Sequence, residues 1–111
     1  MAETFKSVVS NGVGTSSTTL YTCPANTTTI ILGLLFCNVR SPLGDIQVSS
    51  TLTKSGGTSA KLVENVKIFS GASLSLVGEN NKVVLEAGDS IAVLSDVASS
   101  LDMVLSILEI S

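Results

Sequence analysis

The stretch Leu101–Ile110, LDMVLSILEI, constrains the fold more than any other. Its odd positions Leu101, Met103, Leu105 and Ile107 are apolar, and so are Val104, Leu108 and Ile110 at even positions. Alternation marks a strand, but a strand apolar toward both sides must be covered on both, by its own fold or by another subunit. Residues Thr28–Val39 have the same character. Ile30, Leu32, Leu34 and Phe36 make one face, and Ile31, Leu35 and Cys37 the other. A helix over Ile30–Phe36 fails on length and on the Thr run that leads into it. The two segments are therefore expected to be central and adjacent strands. Gly33 then marks a bulge or a close backbone approach.

The remaining chain is punctuated by turns. Thr4–Ser10 reads as a first strand ended by Asn11-Gly12-Val13-Gly14. Thr15–Thr22, with only Leu20 and Tyr21 as large residues, suits a sheet edge and stops at Pro24-Ala25-Asn26. Asp45–Thr53 alternates, with Ile46, Val48 and Leu52 on one side and Asp45, Gln47, Ser49, Thr51 and Thr53 on the other. That is a half-exposed antiparallel strand. Ser55-Gly56-Gly57-Thr58 turns it into a return strand over residues 59–66. Further strands are expected over Ala72–Val77, where Leu74 and Leu76 share a face, over Lys82–Glu86 and over Ser90–Ser95. Turns fall at residues 78–81 and at Ala87-Gly88-Asp89, where Gly supplies a positive φ and Asp bonds nearby backbone.

Turn signals spaced by roughly 8–12 residues, with no amphipathic helix, indicate an all-β chain. The expectation is a single domain over residues 1–111, an antiparallel β-sandwich of jelly-roll or Greek-key type with about eight or nine strands. Residues 1–10 are available as an N-terminal arm. An immunoglobulin-like sandwich lacks its buried Trp here, since the chain has no Trp.

Composition removes several classes of function. Charged residues are 14% of the chain, against about 25% in typical domains, and hydrophobic ones are 44%. Such a weakly charged surface suits a protein held in an assembly better than one kept apart by repulsion. The net charge is −3, and Lys6, Arg40, Lys54, Lys61, Lys67 and Lys82 are scattered singly, which speaks against nucleic-acid binding. The longest apolar run, Ile30–Cys37, is far short of the ~20 residues that cross a bilayer. The start MAETFKSVVS has no apolar core of a signal peptide, so synthesis in the cytoplasm of the producing cell is expected. Cys23 and Cys37 are then expected as free thiols.

The chain contains no histidine, which excludes Ser-His-Asp and Cys-His catalysis. The two cysteines lack zinc-ligand spacing, and no phosphate-binding glycine loop opens a helix. Glu86, Asp89, Asp96 and Asp102 lie near two turns, but their spacing matches no Ca²⁺ loop. With one Tyr and three Phe there are few aromatic platforms for a glycosidase cleft. No catalytic, cofactor or metal residue is assigned, and an enzyme is not expected. The Thr-rich segments, which would suit an ice- or sugar-binding face, are ordinary for half-exposed strands.

Two segments together carry a family likeness: NTTTIILGLLFCNV (26–39) and the chain from Leu62 to Ser111. Shared features are the Thr-led apolar strand ending in Asn38, the Gly71–Leu74 lead into a strand, the LEAGDSI turn and the final Ser-Leu-Asp-plus-apolar strand. In these the chain resembles small virion structural proteins of tailed bacteriophages, particularly marine and cyanobacterial ones. The resemblance implies a capsid decoration (cement) protein, clustered as a homo-oligomer, most naturally a trimer, on the major capsid protein or other virion proteins. It implies localisation in the virion, after synthesis in the host bacterial cytoplasm, without cofactor, nucleic acid or membrane. A tail, neck or baseplate component is the alternative, and a carbohydrate-binding module using Tyr21 is a third. For an oligomer or shell interface, the doubly apolar strands and the N-terminal segment nominate Phe5, Ile31, Leu35, Leu101, Met103, Leu105, Leu108 and Ile110.

Overall fold

The computed structural model describes residues 3–40, 44–77 and 82–111. It contains β1 (Glu3–Val13), β2 (Thr18–Thr22), β3 (Thr28–Asn38), β4 (Ile46–Thr53), β5 (Ser59–Ile68), β6 (Ser73–Val77), β7 (Val83–Leu85), β8 (Ser90–Ser95) and β9 (Leu101–Ile110). They form two antiparallel sheets. Sheet I has the order β1-β9-β3-β6, with β7 also paired to β3, and sheet II the order β2-β8-β4-β5. β6 pairs with β3 over Leu34–Cys37 and β7 with it over Thr29–Ile31, so the two short strands share one edge position. Counting them as one, the chain visits the sheets in the order I, II, I, II, II, I, II, I. That alternation is the jelly roll, so the expected sandwich is present and its topology is decided.

Within one sheet, the tight hairpin is β4–β5. Its turn is closed by the Lys54 amide donating to the Thr58 carbonyl (2.7 Å) and the Gly57 amide to the Lys54 carbonyl (2.8 Å). Most other neighbours are distant in sequence, down to the first and last strands, which pair from Glu3–Ile110 to Ser10–Met103. As expected, β3 and β9 are central neighbours. β9 keeps strict alternation, and Leu101, Met103, Leu105 and Ile107 fill the space between the sheets. β3 does not. Its pairing slips between Ile31 and Gly33, so Thr29 and Ile31 point inward before the bulge and Leu34 and Phe36 after it. An extra residue in one strand reverses the phase of everything that follows. The expected split of β3 into an even and an odd face is therefore corrected, while Gly33 does lie at a bulge.

The N-terminal segment also departs from expectation. Asn11-Gly12 is not a turn but a bulge within β1, with Gly12 at φ +61 and its amide donating to Asp102 Oδ1 at 3.0 Å. Residues 3–10 are an edge strand bonded along β9, not a free arm. The return strand of the hairpin runs on to Ile68. The turn expected at 78–81 lies outside the described residues, as do residues 41–43.

Between the sheets, Ile31, Leu34, Phe36 and the inward residues of β9 meet Ile46, Val48, Ile91 and Val93. Each such side chain stabilises the fold by about 1.5–3 kcal/mol through removal from water. One end of this core carries a polar clasp. Asn38, 2% exposed, donates from Nδ2 to the carbonyls of Gly44 and Ile68, both at 2.9 Å, and accepts the Arg40 amide. These bonds bring the end of β3 to the start of β4 and the end of β5, where no ladder reaches.

Leu105 and Val104 are neighbours in the chain with opposite fates. Leu105→Ala is expected to cost about 2–5 kcal/mol in urea unfolding, because it opens a cavity among fixed neighbours. Leu105→Asp should abolish cooperative unfolding altogether, since it buries an unpaired carboxylate. Val104→Ala should change monomer stability by no more than about 0.5 kcal/mol, as a surface substitution does.

Candidate functional site

The two outer faces of the sandwich are chemically unlike. On sheet II the register aligns Thr19, Ala92, Thr51 and Lys61 in one row and Thr22, Ser90, Thr53 and Ser59 in another, with Gln47 beside Lys67. Apart from Ala92 and from Leu94, which stands beside Ser49, that face is polar, as is usual for a solvated antiparallel sheet. On sheet I, one row runs Phe5, Leu108, Ile30, Val84 across β1, β9, β3 and β7. Another runs Val9, Val104, Leu35 and ends on Ser75 of β6. Ser7, Ser106 and Gly33 lie between the rows. Phe5 and Val9 are 73% and 68% exposed, and Val84, Leu35 and Val104 between 52% and 44%. Glu3 and Thr28 bound the band beside Ile110 at one end, Asp102 and Ser73 beside Cys37 at the other. The outer face of sheet I therefore has an apolar centre free of charge inside a polar margin.

The structure separates the eight nominated interface residues into two sets. Ile31, Leu101, Met103 and Leu105 are at most 1% exposed and belong to the sandwich interior. Their nomination as contact residues is corrected: sheet II covers them already, so no second subunit can touch them. Phe5, Leu35, Leu108 and Ile110 are on the outer face of sheet I. Val9, Ile30, Val84 and Val104 share that face and were not nominated. Val104 and Ile30 were visible as the second apolar face of their strands. Val9 and Val84 become neighbours of these residues only through the β1–β9 and β3–β7 pairings.

The carboxylates, by contrast, work as pins. Asp96 Oδ1 accepts the Gln47 amide at 2.8 Å, tying the segment after β8 to β4. Asp89, fully buried, accepts the amides of Glu86 and Ser55 and the Lys54 ammonium, which also meets Glu86 at 2.8 Å. This joins the 86–89 turn to the β4–β5 hairpin. Gly88 cannot be replaced there. Its φ is +88, and a Cβ would stand 2.7 Å from Ser55 Cβ. Across the sandwich, Glu109 accepts the Tyr21 hydroxyl at 2.5 Å and the Lys6 ammonium at 2.8 Å, and Tyr21 also shares a bond with Thr29. That links β2 of sheet II to β1, β3 and β9 of sheet I. Among the described residues no group of three Asp, Glu or Cys side chains is placed to hold a metal ion, and no pocket opens in the surface. Both cysteines are free; Cys23 is buried and Cys37 half-buried.

These contacts shift the titrations. Lys54, with help from the Glu86 and Ser55 amides, holds Asp89 below the usual carboxylate range, and Asp89 and Glu86 push Lys54 up. Lys6 and then the Tyr21 hydroxyl lower Glu109. Burial first, and the bond to Glu109 second, push Tyr21 up to about 12.

Carboxylates lowered in the folded state contribute stability above their unfolded pKa and lose it as pH falls through the folded value. A raised Tyr contributes below its unfolded pKa of about 10 and loses it as pH rises toward the folded value. Thermal unfolding across pH should therefore show melting temperature falling in acid below about pH 4, with a smaller drop in Glu109→Gln. The alkaline loss between the ordinary Tyr value of 10.0 and about 12 should shrink in Tyr21→Phe.

Neither a family model nor a curated protein matches the chain. Among solved structures, a chain from Bacillus endospore appendages, described as a novel family of disulfide-linked pili, aligns with a TM-score of 0.56 at 15% identity, over 98% of this chain and 88% of that one. The likeness is one of fold. The infectious bursal disease virus VP2 subviral particle aligns with a TM-score of 0.30 at 11% identity, over 96% of this chain and 41% of that one.

Proposed function

We propose that the chain is a non-catalytic structural subunit of a phage virion, a capsid decoration protein that works by self-association and by contact with the major capsid protein or other virion proteins. The observation that carries this reading is the uncovered apolar face of sheet I, on a chain with 14% charged residues. A monomer working alone in water would present polar residues there, as sheet II does. The likeness of residues 26–39 and 62–111 to small phage virion proteins supplies the kind of assembly. The shared fold with a pilus chain is compatible with a role in assembly. A carbohydrate-binding reading loses its support, because the Tyr21 hydroxyl is engaged by Glu109 and Thr29 and its ring is not a free platform.

Quantitative mass spectrometry of purified virions should find the chain at a copy number comparable to that of the major capsid protein. A handful of copies per particle would instead place it in the tail, neck or baseplate, and its absence from particles would end the virion reading. The gene's neighbours provide an independent check: a major capsid gene beside it is expected, and a tail tube gene would favour the tail.

A further inference from the structure

We infer that the outer face of sheet I is a self-interface, on which two copies of this chain pack face to face across a twofold axis. The inference deepens the proposed function and rests on it only in treating this face as a contact surface. Three observations choose a second copy as the occupant. The first is size. Four strand columns at about 4.8 Å spacing, over about seven residues at 3.4 Å rise, cover roughly 450 Å² per copy. Two such faces, with side chains standing off them, bury on the order of 1,000 Å², the scale at which specific interfaces begin.

The second is asymmetry. A threefold cluster needs two different patches that complement each other, whereas a twofold contact needs one patch that complements itself. Among the described residues the outer faces offer one extended apolar patch, that of sheet I; on sheet II a single Leu94 stands beside Ser49 among the Ser/Thr/Lys rows. Setting the apolar face of one copy on the polar face of the next would strand Lys61 and Lys67 against Phe5 and Leu108. The third is charge. The rows from Phe5 to Val84 and from Val9 to Leu35 contain no ionisable group, so a charged partner finds no complement while an identical face meets no repulsion. Two sheets packed this way keep strand directions within about 30° and stand about 10 Å apart, repeating between copies the arrangement inside each sandwich.

Sedimentation equilibrium of the purified chain, with circular dichroism to confirm folding, tests this. The wild type should show a concentration-dependent dimer. Val104→Lys, and independently Val9→Lys on the exposed edge strand, should weaken association about 30-fold or more, the effect of losing a central contact. Thr19→Lys on sheet II should leave it unchanged. A wild type that stays monomeric, a trimer, or a Thr19→Lys effect as large as that of Val104→Lys overturns the inference. If a monomeric chain nevertheless binds virions and Val104→Lys prevents it, the decoration reading stands and the face belongs to the shell. If the dimer forms as described but the chain is absent from virions, the self-interface stands and the decoration reading falls.

Discussion

The bonding of β9 between β1 and β3 is the constraint on which the rest of the structure depends. β9 joins β1 to β3, so sheet I exists only once segments far apart in sequence have met. Its inward side chains, Leu101, Met103, Leu105 and Ile107, form the middle of the core and hold sheet II in place. Closing contacts this far apart in sequence is entropically expensive and tends to be slow. Apolar content on both sides of β9 offsets that cost inside the monomer and leaves a surplus outside it.

The surplus gives the molecule its polarity. One outer face is mainly Ser, Thr, Lys and Gln, and the other has Phe, Val, Ile and Leu in register across four strands. The polar groups that remain inside the sandwich are nearly all engaged in holding it together. Asp89 with Lys54 binds turn to hairpin, Glu109 with Tyr21 and Lys6 binds sheet to sheet, and Asn38 binds three chain segments at one end. Asp89, Asp96 and Glu109 are in this way engaged by backbone amides, a hydroxyl and ammonium groups that hold the fold together.

Much of this was legible before the structure. β8 and β9 fall on the residues read from alternation alone, and Ala87-Gly88-Asp89 does what its turn chemistry requires. The misreadings share one physical origin. At Asn11-Gly12 a glycine with positive φ makes a turn or a bulge with equal ease, and what decides is whether Asp102 and Leu101 stand opposite. At Leu32-Gly33 an added residue reverses the side-chain phase, so no count along β3 alone assigns its later faces. Core and contact residues were confused for the same reason: a strand apolar on both sides does not say which side its own fold covers.

By itself, then, the sequence determined the class of fold and its surplus. Period-2 patterning, turn residues and two doubly apolar strands indicate a sandwich whose two long strands need cover on both sides, because these depend on neighbours a few residues away. The tertiary structure alone decided where the surplus lies. Strand order and register bring Phe5, Leu108, Ile30 and Val84 into one row, although they come from four separate segments of the chain. A surface patch is a property of pairing across the sheet, and pairing between the two ends of a chain is set by the whole packed core rather than by any stretch within it.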